Sequence, residues 1–336
     1  MFILGLKAII NIIMITNIPD ISKQIYKDDT LAVLEKKYST MGPLWVSQQT
    51  EWMNGIYASF KNHDKFLILI FLIKKTLDFY SRNFIRLSYD EFYSKDKVEI
   101  EEISIAEISK TLNIPKETVR RKVIELEKEG AIRKIKKKIV IDRSRFYYSK
   151  PEVSIKRISR FLSTLSEMSK NEKILLNTIT SKELELVIKN NFTYVWKLYY
   201  ELQIPMMTSY KKIFGDTETF HIFSICVVNE HLFAKKKSED YMVRDEFLKS
   251  IFTAKKMQGI NAMSISEITG IPRATVIRKL KKLVKKNNLT INSKKHYKLA
   301  NDFTLKLKPL QKNVLINLAN FSAVVFNLII LNKDKN

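Results

Sequence analysis

The stretch Ile114 to Ile124, Ile-Pro-Lys-Glu-Thr-Val-Arg-Arg-Lys-Val-Ile, returns at Ile271 to Lys281 as Ile-Pro-Arg-Ala-Thr-Val-Ile-Arg-Lys-Leu-Lys. A chain that repeats a structured segment builds one local fold twice, and it must bury the same apolar stripe in both copies. On a helical wheel Val123 and Leu126 fall within about 40° of Val119, while Glu117, Arg121 and Glu125 lie on the far side. The second copy keeps the pattern, with Val276, Leu280 and Leu283 inward and Ala274, Arg278 and Lys282 outward. Arg121 and Arg278 therefore take the same outward position. Pro115 and Pro272 suit a helix's first turn, where a missing N–H costs no bond, and Asn113 or Gly270 just ahead suits a tight turn.

The flanking residues extend the pattern. Ile103 to Leu112 predicts a short amphipathic helix on Ile105, Ile108 and Leu112, ahead of the repeated one. After Gly130, the segment Ala131 to Asp142 reads as two β-rich runs joined by Lys136, Lys137 and Lys138, a hairpin with a cationic tip. In the second copy Leu289-Thr290-Ile291 and Tyr297-Lys298-Leu299 flank Asn292 to His296, with Lys294 and Lys295 at the tip. Only three residues separate Ile268 from Pro272, against six between Ile108 and Pro115. That spacing predicts a shortened first helix in the second copy.

A helix, a turn, an exposed second helix and a basic hairpin resemble the winged helix-turn-helix DNA-binding domains of bacterial transcription regulators, the broad group that includes the MarR-like and IclR-like families. The resemblance rests on Ile-Ala-Glu-Ile followed by Asn-Ile-Pro-Lys-Glu-Thr-Val-Arg-Arg-Lys-Val, and on Ile-Ser-Glu-Ile-Thr-Gly-Ile-Pro-Arg-Ala-Thr-Val-Ile-Arg-Lys-Leu. It implies double-stranded DNA as the partner. The residues expected to touch it are Lys116, Glu117, Thr118, Arg120 and Arg121 on the first recognition helix, and Arg133, Lys134, Lys136, Lys137 and Lys138 on the first wing. In the second copy they are Arg273, Thr275, Arg278, Lys279 and Lys282 on the helix, and Lys294 and Lys295 on the wing. Arg121 and Arg278 are placed for base edges and the lysines for phosphates.

The duplication is larger than the motif. Asp90-Glu91-Phe92 recurs as Asp245-Glu246-Phe247, and each triplet follows an apolar stretch, Phe66 to Ile73 and Phe220 to Val228. The expected organisation is an apolar helical segment over 1–42, a first helical and winged-helix unit over 43–150, a helical linker over 151–194, a second unit over 195–300 and an apolar helix over 301–336. The fold class is mainly α: tandem winged helix-turn-helix modules on a helical scaffold, with short hairpin wings.

Charge points to a polyanion. Lys and Arg number 59 against 35 Asp and Glu, a formal net charge of +24. Such an excess repels itself unless an anionic partner relieves the field. The excess is clustered, with basic residues at five of the six positions from Arg133 to Lys138 and six of the nine from Arg278 to Lys286. An AT-rich genome accounts for part of the lysine content and leaves the clustering unexplained. The leading reading is a cytoplasmic, sequence-specific transcription regulator. The alternative is a non-specific or architectural nucleic-acid binder in which one module serves protein interaction.

Catalytic patterns are missing from the sequence. Cys226 is the only cysteine, so neither a disulfide framework nor a thiolate metal cluster is available. His63, His221, His231 and His296 show no ligand spacing, and His221 and His231 flank Cys226 in an apolar helix that reads as core. The scattered glycines form no phosphate loop. No enzyme, metal or cofactor is expected. Residues 1–16 resemble a signal-peptide core without a cleavage site and are expected to form a core helix, with a membrane anchor or a start at Met14 as the alternatives. Pro309 to Leu331 is long enough to span a bilayer, but Asn313, Asn317, Asn320 and Asn327 line one face. That helix is expected to pack between the units or against its copy in a homodimer, with a membrane role disfavoured.

Overall fold

The computed structural model describes residues 21–94, 97–101, 103–135, 138–142, 150–236, 241–253 and 259–331. The protein is mainly helical, with a few short antiparallel strands. In chain order the first half holds α1 (Lys27–Lys36), α2 (Tyr38–Phe60), α3 (His63–Arg82), α4 (Tyr89–Tyr93), β1 (Lys97–Glu101), α5 (Ile105–Leu112), α6 (Lys116–Lys128), β2 (Ile132–Ile135), β3 (Lys138–Asp142) and α7 (Glu152–Asn171). The second half holds α8 (Ser181–Asn190), α9 (Phe192–Phe214), α10 (Thr217–Lys235), α11 (Arg244–Thr253), α12 (Ala262–Thr269), α13 (Arg273–Lys285), β4 (Leu289–Ile291), β5 (Tyr297–Leu299) and α14 (Asn301–Ile330).

The two halves run in parallel almost element for element. Helices α2 and α9 each have 23 residues, α5 and α12 each 8, and α6 and α13 each 13. Their starts are set by matched polar caps. Asn62 accepts from the Lys65 N–H at the head of α3, and Asp216 accepts from the Thr219 N–H at the head of α10. Ser104 and Asn261 cap α5 and α12 in the same way. Each such cap stabilises its helix by about 1 kcal/mol.

The core is formed by exchange between the halves. Helix α2 packs on α10 of the second half, and α9 packs reciprocally on α3 of the first. This sandwiching explains why Leu67 to Leu72 and Phe220 to Cys226 are buried on every side, since a helix apolar all round needs neighbours all round. The last helix of each half is exchanged too: α7 lies on α8, and α14 lies on α1 and α9. Matched hydrogen bonds seal both docks. Asn327 of α14 accepts from the Ile25 N–H and donates to its carbonyl, both at 2.8 Å. At the equivalent place, Ser166 of α7 accepts from the Ile179 N–H at 2.9 Å and donates to its carbonyl at 3.1 Å.

The span 151–194 contains α7, a turn and α8, and it supplies buried Phe161, Leu162, Leu165 and Leu184 to the common core. Helix α14 runs from Asn301 through Pro309 to Ile330. Lys306–Ile330 is apolar and long enough to cross a bilayer on composition alone. Its large apolar side chains, Phe321 and Phe326 among them, are buried inside the chain, which is the interdomain alternative for this helix. Asn313, Asn317 and Asn320 face water. The reading of residues 1–16 lies outside the described residues.

Candidate nucleic-acid interface

Helices α5 and α6 are joined by a turn in which Asn113 takes a left-handed φ of 51°. Gly270 takes φ 69° between α12 and α13. Such angles favour Gly and Asn, which is why those residues stand there. The inward stripe falls as the wheel predicts, with Val119, Val123 and Leu126 buried in α6 and Val276, Leu280 and Leu283 buried in α13. Helix α6 rests on α3 and α13 rests on α10, so each exposed helix is carried by a buried helix of its own half.

Behind α6 the hairpin of β2 and β3 is part of a three-stranded antiparallel sheet in the order β1-β3-β2. Strand β1 was not anticipated, although Lys-Val-Glu-Ile-Glu alternates as an edge strand does, with Val98 and Ile100 buried. In β2 only Ile132 is buried, while Arg133, Lys134 and Ile135 are exposed, and the central strand β3 buries Ile139, Val140 and Ile141. In the second half β4 and β5 pair over the expected residues, and a single bridge from Ile260 to Tyr297 stands where β1 stands in the first.

The outward residues sort by their partners. Arg121 and Arg278 are exposed and make no ion pair among the described residues. Lys116, Arg133, Lys134, Arg273, Lys294 and Lys295 are also exposed, and Thr118 and Thr275 are half-buried. Acidic residues near the first pair of helices are paired to lysines of the fold: Glu107 to Lys75 at 2.5 Å, Glu129 to Lys65 at 2.7 Å and Glu125 to Lys122 at 2.7 Å. The unpaired outer face is left cationic. Glu117 and Arg120 sit on that face but bind each other at 2.9 Å. Both are well exposed, and an exposed pair of this kind is worth little and opens readily.

Two expectations fail. Lys279 is buried, with its Nζ 2.7 Å from the Asp216 carboxylate, so it docks α13 onto the head of α10 and is not available to a ligand. Burial alone would raise the Asp216 carboxyl, but hydrogen bonds from Lys279 and Thr219 outweigh it and hold the pKa below its ordinary value. Only Lys282, 3.7 Å from the other Asp216 oxygen, keeps an exposed side chain at this place. The second failure concerns the first helix of the second copy. It is not shortened, because the residue that matches Ile108 is buried Ile265, and Ile268 is a solvent-facing position at 47% exposure.

Lys136 and Lys137 lie outside the described residues. Lys138 belongs to β3, where its backbone pairs with Ile135 and Glu101, so the tip is shorter than the lysine run. Beside the predicted residues, Lys281, Lys285 and Lys286 extend the exposed cationic face of α13. No family model, curated protein or solved structure matches this chain.

Proposed function

We propose that the chain binds double-stranded DNA through two winged helix-turn-helix modules, β1 to β3 and α12 to β5, and acts as a transcription regulator. The observation that carries this reading is the recurrence of one outward arginine, Arg121 and Arg278, without an ion pair among the described residues, at the same place of the second helix in both modules. In this geometry α6 and α13 enter successive major grooves, and the hairpins lie along phosphates. A guanidinium reads guanine through paired donors, while the flanking lysines act as point charges on the backbone. On this reading a single chain, with both halves in one core, takes the place of the two chains that other regulators pair.

The modules are chemically unequal. Helix α6 carries Glu117, Glu125 and Glu127, whereas α13 carries no acid and adds Lys281 and Lys282 where α6 has Ile124 and Glu125. This difference favours sequence choice by the first module and general phosphate affinity by the second, and it is the feature that would support a largely non-specific binder. The test is selection of bound sites from random duplexes, followed by affinity on selected and scrambled DNA for Arg121→Ala and Arg278→Ala. Arg121→Ala is expected to cost about 1–3 kcal/mol on the selected site and to relax one base position. Selection that yields no enriched site, or equal losses on both DNAs, would leave the non-specific reading in place.

A further inference from the structure

A cavity of about 90 Å³ lies between the halves, walled by α2, α9, α10 and α14. Its lining is mostly apolar, with Trp45, Met53, Met206 and Phe223 among the walls, and the described lining residues include no Lys, Arg, Asp or Glu. His231 also faces it and is neutral, because burial lowers its pKa to about 4 against the opposing bond to the Val227 carbonyl. Within this uncharged lining stands one amide with both ends unanswered. Gln49 is 5% exposed, and neither its Nε2 nor its Oε1 has a hydrogen-bond partner among the described residues. The neighbouring hydroxyls do have partners: Thr50 donates to Ser224 at 3.2 Å, and Ser224 donates to the His221 carbonyl at 2.8 Å.

A buried amide with neither end satisfied costs stability unless something in the cavity answers it. The place is also shaped by a residue choice specific to this half. Gly42 borders the cavity, and a Cβ there would lie 2.6 Å from the Tyr38 ring, so glycine is what lets that ring form the wall. Counted from the starts of α2 and α9, Gly42 and Val46 correspond to Trp196 and Tyr200. Those two line a different cleft, wider at about 200 Å³ and bordered by Lys150 and Arg157. The duplication has therefore kept two clefts at equivalent places and made only one of them uncharged.

We propose that the Gln49 cavity is a binding site for a small uncharged ring compound carrying a hydrogen-bond donor beside an acceptor, of the lactam class. The Gln49 amide offers the reverse pair, Oε1 to accept and Nε2 to donate, so a cyclic N–H and C=O meet it with two parallel hydrogen bonds. The aromatic and thioether walls cover the faces of the ring, as they do in ordinary ligand pockets. The lining itself carries no charge, and the nearest guanidinium, Arg244, is engaged 3.0 Å from the Gln311 Oε1, which favours an uncharged ligand over an ion. This site does not depend on the DNA-binding reading, and its test contains no DNA.

The probe is 2-pyridone, compared with N-methyl-2-pyridone, in which the donor is blocked. Calorimetric titration and thermal melting of the full chain should show saturable one-site binding of 2-pyridone with a rise in Tm, and binding of the N-methyl compound about tenfold weaker or worse. Gln49→Leu should bring the two affinities together, and Gln49→Met serves the same comparison if the leucine variant folds poorly. Val227→Phe, which fills the cavity from α10, should abolish both. Absence of saturable 2-pyridone binding would overturn the proposal, as would a preference for it that survives replacement of Gln49.

Discussion

Acidification from pH 6 to pH 5 should destabilise this protein along a slope set by four buried groups. Burial lowers the pKa of His63 to about 4, with the Asp216 charge opposing, and burial likewise lowers His231 to about 4. His221, whose Nδ1 lies 3.2 Å from His63 Nε2, is held well below its ordinary value by burial and by His63. All three are neutral in the native state and charged once unfolded near pH 5, since a free imidazole titrates around 6.5. For such a depressed group, stability is present above the unfolded pKa and is lost as pH falls toward the folded one. Glu230 acts in the opposite sense. Burial lifts its carboxyl to about 7 despite the bond from the Leu299 N–H at 2.6 Å, so the native state holds a proton there that the unfolded chain releases. Unfolding in this window therefore takes up about three protons on histidine and releases about one from Glu230. The net uptake of about two is reached near pH 5 and is smaller at pH 6, which gives a loss of about 2–3 kcal/mol over this pH unit. Urea titrations followed by fluorescence of the buried Trp45, Trp52 and Trp196 measure it directly. His231→Phe should reduce the slope by about 1.1 kcal/mol per pH unit whatever it does to absolute stability. A wild-type slope under about 1 kcal/mol per unit would show that the imidazoles are solvated or charged in the native protein.

Asn327→Ala should destabilise the chain by about 2–3 kcal/mol, because it removes two hydrogen bonds and leaves the Ile25 N–H and carbonyl unanswered; a loss under about 0.5 kcal/mol in chemical denaturation would mean that α14 docks without them. Lys279→Met should cost about 1–3 kcal/mol of stability by unpairing Asp216, whereas Arg278→Ala, one residue away, should change stability by less than about 0.5 kcal/mol and weaken DNA binding. Similar stability losses from the two would contradict the burial of Lys279 and the exposure of Arg278.

The repeated helices were legible because their period is local. Val119, Val123 and Leu126 identify a buried stripe from spacing alone, and so do the two runs that became β4 and β5. What was not legible depended on contacts across the chain. Lys279 sits where a wheel leaves room for an outward lysine, and only the position of Asp216, brought close by the packing of α13 on α10, turns it into a dock. The match of Ile268 with Ile108 failed for a related reason: several apolar residues in α12 compete for one buried place, and Ile265 takes it. Residues 151–194 looked like a connector because α7 and α8 are individually amphipathic, and nothing local reveals that each is the other's partner. Gln49 gave no signal at all, since a glutamine in an apolar helix is marked only by what surrounds it.

The exchange of helices has a consequence for how the two exposed faces can act. Helix α7 completes the surface of α8, and α14 completes that of α1, so neither half encloses its own apolar stripes without the other. The sandwich of α2 on α10 and α9 on α3 holds the carriers of α6 and α13 in one core. Their separation and orientation are then properties of core packing and not of a linker length. Two chains that pair to read DNA must keep identical reading helices. Under the proposed DNA-binding reading, one chain with two modules is free to let them differ, and α13, with no acid against three in α6, differs in charge. The Gln49 cavity lies within the same packing, bordered by α2 of one half and α10 of the other. Of the two carriers it touches α10 directly, while α3 is reached through α9, whose Met206 and Tyr210 line the same cavity.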